Sequence, residues 1–294
     1  MRLRKIILLS FLVLGACSSK KADETPVADP VVVPVETAKP KYLYVSSGAC
    51  YSGTNTTFTT ASSSNKVFRL NIASGQKDMT FADYFSLPAN PGDSPVHLVE
   101  ADSSNLMVLV ENTAGRRIEK FAKAASPTRQ IFSSNATALS AALKGIVKTS
   151  DGGFLIAKTA GIERLTSQGV RLGAPYIGTN LGATCGAANA NINNVAVTAT
   201  GKILYTNAVA SNNRWGVISP NGYSSASDCL AVQAAPDTNA FPVAIQYLSA
   251  TSQVLVAYAG NSLNVNLNSI YVYDFNDTTN VISNPVKIYD ANTY

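Results

Sequence analysis

A hairpin pattern returning about every 49 residues is the feature that most restricts how this chain can fold. Its clearest copy runs Gly145-Ile146-Val147-Lys148, turns at Asp151-Gly152-Gly153, and returns as Phe154-Leu155-Ile156-Ala157. A third strand, Gly161-Ile162-Glu163-Arg164-Leu165, and the turn Ser167-Gln168-Gly169 follow, with Pro175-Tyr176-Ile177-Gly178 as a weaker fourth strand. The same order recurs at 195–198, 203–206, 215–218 and 230–232, and again at 243–246, 254–257, 270–273 and 286–289. An upstream copy occupies 96–99, 106–109, 118–121 and 130–132. The first copy has Tyr42-Leu43-Tyr44-Val45, then Val67-Phe68-Arg69-Leu70 and Tyr84-Phe85, and lacks a leading strand.

A four-stranded sheet of this size cannot bury both of its faces by itself, and stacking copies around a ring buries them. The pattern therefore predicts an all-β fold, a β-propeller of about five four-stranded blades, over residues 42–294. The alternative is a β-sandwich or β-solenoid built from similar hairpins. The order of an apolar inner strand, an Asp/Gly turn, a second strand like Leu43-Tyr44-Val45 and an aromatic or Ile third strand loosely resembles NHL-type propellers. No WD dipeptide closes a copy. The incomplete first copy is expected to borrow a strand from residues 31–35 or from the C-terminus, which would hide the ring's edges.

Residues 1–16 read as a secretory signal: Arg2, Arg4 and Lys5, then an apolar run from Ile6 to Leu14, then Gly15 and Ala16. The run is about nine residues, well short of the roughly 20 a spanning helix needs. Leu14-Gly15-Ala16-Cys17 resembles the lipobox of bacterial lipoproteins. That resemblance implies cleavage before Cys17 and acyl chains, palmitate among them, on that residue. Ser18 stands where Asp would favour inner-membrane retention. The resemblance thus implies an outer-membrane anchor, with the domain facing the periplasm or the cell surface. Residues 17–41 follow as a tether containing Pro26, Pro30, Pro34 and Pro40, which should be extended and semi-rigid.

Three of the 23 Lys and Arg lie in the signal, leaving 20 against 18 Asp and Glu, a mature balance of about +2. No basic block argues for nucleic acid as a partner. Besides Cys17 there are Cys50, Cys185 and Cys229, so at most one internal disulfide can form. Sequence closeness pairs Cys185 with Cys229, whereas loop topology pairs Cys50 with Cys185; Cys185–Cys229 is the expectation. There is no CxxC spacing and one histidine, His97, on an inner strand, so neither a metal nor another cofactor is expected.

Loops on one propeller face are the default binding surface, which nominates Tyr51, Arg116, Arg117 and Arg214. The expected function is a non-catalytic protein-binding or scaffold module tethered to the membrane by its N-terminal lipid. A carbohydrate-binding or adhesive module is the alternative, resting on Tyr51, Trp215 and Tyr223. A third reading is a five-bladed glycosidase with Glu100 as acid. It meets the difficulty that Asp102, Asp151, Asp274 and Asp277 sit in or near turns, where Asp bonds its own backbone. Asp274-Phe275-Asn276-Asp277 lacks the later Gly and Glu of a calcium loop and reads as a turn.

Overall fold

Period-two alternation of apolar residues, broken by Gly, Asn and Asp, gives this chain a series of antiparallel hairpins. In the computed structural model the described residues are 42–47, 66–78, 80–81, 94–112, 115–124, 128–133, 142–172, 181, 185, 191–209, 213–260 and 267–290. All belong to the compact unit Pro40–Tyr294; the other unit, Met1–Lys39, lies outside them.

Five antiparallel sheets follow one another along the described chain. Sheet 1 holds β1 (Tyr42–Ser47) and β2 (Lys66–Asn71). Sheet 2 holds β3 (Ser94–Asp102), β4 (Asn105–Asn112), β5 (Gly115–Ala122) and β6 (Arg129–Ser133). Sheet 3 holds β7 (Leu143–Lys148), β8 (Phe154–Lys158) and β9 (Gly161–Leu165). Sheet 4 holds β10 (Ile192–Val197), β11 (Ile203–Asn207), β12 (Arg214–Ile218) and β13 (Cys229–Ala234). Sheet 5 holds β14 (Phe241–Leu248), β15 (Gln253–Ala259), β16 (Ser269–Asn276) and β17 (Val281–Asp290). Within each sheet the strands are ordered as in the sequence.

The second strand of each sheet shows why the sheets must stack. On β8, Phe154 and Ile156 pack with Met107 and Leu109 of sheet 2, while Leu155 and Ala157 pack with Val195 and Ile203 of sheet 4. On β11, Ile203 and Tyr205 face sheet 3, while Leu204 joins Val254 and Val256 of sheet 5. Both faces of β8 and of β11 thus carry apolar residues, and each face is covered by a neighbouring sheet. The innermost strands β3, β7, β10 and β14 together wall a central cavity. This is a β-propeller.

The repeat extends to its turns. In the β7–β8 turn the Thr149 N–H donates to the Gly153 carbonyl and the Gly152 N–H to that of Thr149. In the β10–β11 turn Thr198, Lys202 and Gly201 repeat that pattern. Gly152 (φ 82°) and Gly201 (φ 84°) occupy the same left-handed position, which a side chain would strain. A second repeated element fixes the place of β2. The turn after it ends with Lys77 bridging back to Leu70, as Arg171 bridges back to Leu165 after β9. So β1 and β2 hold the second and third places of sheet 1, and no described strand holds its inner place. The fourth-strand segment 175–178, Tyr84-Phe85 and residues 31–35 lie outside the described residues.

Sheet 4 is stapled from outside. Cys185, before β10, is bonded to Cys229 at the start of β13 (Cα–Cα 5.5 Å). The fully buried Tyr205 donates its hydroxyl to the Cys185 carbonyl at 2.5 Å. Its ring lies across Gly216, where a Cβ would come within 2.5 Å of the Tyr205 oxygen.

Candidate functional site

Every described inner strand carries a bulge at the same level. Pairing with the second strand slips between Pro95 and His97, Leu143 and Gly145, Ile192 and Asn194, and Pro242 and Ala244. A bulge twists its strand and re-aims the residues beside it. Here it sets His97, Gly145, Asn194 and Ala244 at one height around the cavity, on four successive sheets.

Two of these residues meet across the third. The Asn194 amide nitrogen lies 3.3 Å from His97 Nε2, linking sheet 4 to sheet 2. It passes directly over Gly145 of sheet 3, where even a Cβ would sit 3.0 Å from that nitrogen. Glycine at 145 is what lets the strap pass. The backbone of Asn194 is held in turn by the buried Thr206, whose hydroxyl oxygen accepts its N–H at 2.9 Å. The bulged residue itself, Asn193, donates its amide to the Pro242 carbonyl of sheet 5 at 3.1 Å.

An amide nitrogen can only donate, so in this contact His97 Nε2 is the acceptor, while His97 Nδ1 is buried with no hydrogen-bond partner among the described residues. Burial disfavours the imidazolium and holds the His97 pKa below its usual value. A base with a lowered folded pKa contributes stability that is fully present above its unfolded value, about 6.5, and is lost as pH falls through the folded value. NMR titration of the His97 ring should therefore give a midpoint below 6.5. The Asn194→Ala variant, which frees Nε2, should shift that midpoint.

The cavity behind the strap has a volume of about 320 Å³. Its walls include Leu98, Val147, Val197, Ala244, Leu255 and Ala257, with Gln246 as a polar group beside His97 and Asn194. Among the described residues no Asp, Glu, Lys or Arg lines it. Among the described residues no three His, Cys, Asp or Glu side chains gather as a metal site.

The residues nominated from the sequence fall elsewhere. Glu100 is two-thirds exposed, is paired with Lys123, and does not line the cavity. Arg116, Arg117 and Arg214, expected in loops, are strand residues of β5 and β12. The β4–β5 connection is so tight that Asn112 pairs with Gly115, which draws both arginines into the ladder. Arg116 binds Glu111 at 2.8 Å, and Glu111 also accepts the Leu143 N–H of sheet 3 at 2.6 Å. Arg117 binds the fully buried Glu119 at 2.5 Å. Trp215 does not face solvent: it is fully buried, 5.2 Å edge-on to Tyr273. Tyr223 packs on the core between sheets 3 and 4. Trp215 therefore offers no face to a sugar, and Tyr223 is half-buried against that core. Cys17, Cys50 and Tyr51 lie outside the described residues.

Asn194 and Gly145 were missed, although a signal for them existed. His97, Gly145, Asn194 and Ala244 are spaced by 48, 49 and 50 residues, which is the repeat period itself.

No protein-family model matches the chain, and no curated protein matches it in sequence. Solved structures do resemble it. One is a protein of unknown function from Bacteroides caccae, with 15% identity and a TM-score of 0.54, over 85% of this chain and 73% of that one. Another is the calcium-binding protein regucalcin from Agrobacterium tumefaciens, with 14% identity and a TM-score of 0.46, over 67% and 64%. A third is streptogramin B lyase, with 15% identity and a TM-score of 0.46, over 77% and 62%. The chain spans less than two thirds of the last two. At these identities the likeness is one of fold.

Proposed function

We propose that this protein is a lipid-anchored module of the bacterial outer membrane whose propeller binds a protein partner without catalysing a reaction. The lipobox-like Leu14-Gly15-Ala16-Cys17 supports the anchor. The observation that carries the partner reading is β17. This ten-residue strand is the last of its sheet and pairs with β16 alone among the described strands. Val281, Val286 and Ile288 on it are each more than half exposed, and Tyr289 is 40% exposed. An outer strand with exposed apolar side chains is a template for an added strand. Backbone bonds would give affinity and alternate side chains would give selectivity. The partner thus presents an extended, apolar-alternating segment. Within the described residues the cavity's histidine, His97, is bonded by Asn194 and no carboxylate lines the wall beside it, which accords with the non-catalytic half of the reading.

Cross-linking in intact envelopes of the producing cell tests this. The full-length protein should capture one partner near stoichiometrically. Capture should fall with Cys17→Ala, which removes the anchor, and with Val286→Asp, which places a charge on the β17 surface. If capture is unchanged in Val286→Asp, β17 is not the docking strand. If no partner is captured at all, the scaffold reading fails.

A further inference from the structure

We infer that the central cavity is a binding site for a small, uncharged and largely apolar molecule. The inference goes beyond the partner reading and stands on different residues. Its volume, about 320 Å³, lies within the roughly 300–1,000 Å³ of small-molecule sites. Its walls explain its selectivity. Leu98, Val147 and Val197 contribute branched apolar surface from three inner strands. Leu255 and Ala257, on β15, add a fourth side whose origin is legible in the repeat. The matching positions on the preceding second strands are Met107 and Leu109, Leu155 and Ala157, Leu204 and Thr206. All six are buried at 3% exposure or less, between sheets. On β15 this core-type surface is only half-buried and lines the cavity instead. Ala244 and Ala257 face each other across the β14–β15 pair, and their small size leaves the space open.

Charge is excluded on electrostatic grounds. Burying an ion without a counter-ion is costly, and among the described residues no charged side chain lines the wall. His97 cannot supply one, because burial keeps it neutral and Asn194 already bonds its Nε2. One neutral polar group of the ligand can be met by Gln246, an exposed wall residue whose amide reaches the Tyr247 carbonyl only at 3.4 Å. A single carbonyl or hydroxyl on an apolar skeleton is the chemistry that fits.

Two fluorescent probes sharing one skeleton test this on the Cys17→Ala full-length chain, free of detergent: neutral N-phenyl-1-naphthylamine and its anionic relative 8-anilinonaphthalene-1-sulfonate. The neutral probe should bind saturably at one site, with at least tenfold higher affinity than the sulfonate. Ala257→Phe, which fills the cavity from β15, should weaken it at least tenfold. Ala244→Leu does so from the opposite strand and serves if the first variant does not fold. Val286→Asp should leave probe binding unchanged, so a failure of the docking-strand reading stays separate from a failure here. Equal affinity for the two probes would overturn the inference. So would neutral-probe binding that a folded cavity-filling variant leaves intact.

Discussion

Replacing Cys185 and Cys229 together by alanine should lower the stability of the domain by about 4 kcal/mol, on the loop-entropy account of cross-links. The bond closes a loop of 44 residues. Opening it frees that loop in the unfolded chain while leaving every strand of sheet 4 able to form. In a domain of this size each 1 kcal/mol moves the melting temperature by roughly 2–4 °C, so a fall of roughly 8–16 °C is expected. The location suggests which part melts first. The loop contains β10, β11 and β12, and the staple holds the outer strand β13 to the segment leading into β10. Cys185 is also fully buried, and its carbonyl receives the Tyr205 hydroxyl, so loosening it unseats the largest polar ring of that core. Thermal melts with and without reductant give the measurement. Reductant should reproduce the loss in the parent chain and change nothing in the double variant. A fall of less than about 3 °C would mean that packing around Tyr205 holds sheet 4 without the staple.

The architecture could be read from the sequence because its signal repeats. The unbroken apolar runs Phe154-Leu155-Ile156-Ala157 and Ile203-Leu204-Tyr205 say that both faces of these strands are apolar, and only stacked sheets bury both faces. The Gly at 152 and 201 reports the same left-handed turn twice. The first copy reads in sequence as one lacking its leading strand, and in the structure Lys77 bridges back to Leu70 as Arg171 does to Leu165, which puts β1 and β2 in the second and third places. What alternation cannot give is the direction a side chain takes after a bulge. A one-residue slip sends all subsequent side chains to the opposite face, and each inner strand slips just before the residue at the strap level. His97 was therefore legible as an inner-strand residue but not as one bonded to Asn194 across an intervening sheet. Trp215 illustrates the converse. It lies close to a loop in sequence, yet on β12 it pairs opposite Thr206 on the face that sheet 5 covers. The two arginines at 116 and 117 were misplaced for a simpler reason: the length of a hairpin loop decides whether flanking residues are solvated or laddered, and here the loop is two residues.

The third strands show how one position of the repeat accepts different chemistry. The residues paired with Val108, Ile156, Tyr205 and Val256 are Glu119, Glu163, Gly216 and Tyr271. In sheet 4 the Tyr205 ring covers Gly216, and its hydroxyl finds a carbonyl. In sheet 5 the neighbouring Tyr258 and Tyr273 hydroxyls bond each other at 2.9 Å. Sheets 2 and 3 instead bury a carboxylate at 0% exposure and surround it with cations. Arg117 and Arg129 approach Glu119; Lys158 and Arg171 approach Glu163. Burying charge there is not required by the fold, because two sheets manage without it.

That comparison sets up the second large effect. Glu163→Leu should destabilise the domain by about 3–5 kcal/mol, the usual cost of breaking a buried ion pair by removing one partner. The penalty falls on Lys158 more than on Arg171. Lys158 is 5% exposed, so its ammonium cannot easily turn out to water, whereas the Arg171 side chain is 30% exposed and can. Replacing both members should then be far milder than replacing the acid alone, since an apolar pair of similar volume would extend the core that Phe154, Ile156 and Leu165 already form on that face. Chemical denaturation of the parent, Glu163→Leu, Lys158→Met and the double variant closes a thermodynamic cycle. The double variant is expected within about 1–2 kcal/mol of the parent. Should its loss equal the sum of the two single losses, the pair would not be coupled. Glu163 would then act through Arg171 and the turn that Arg171 bridges back to Leu165, rather than by neutralising a buried lysine.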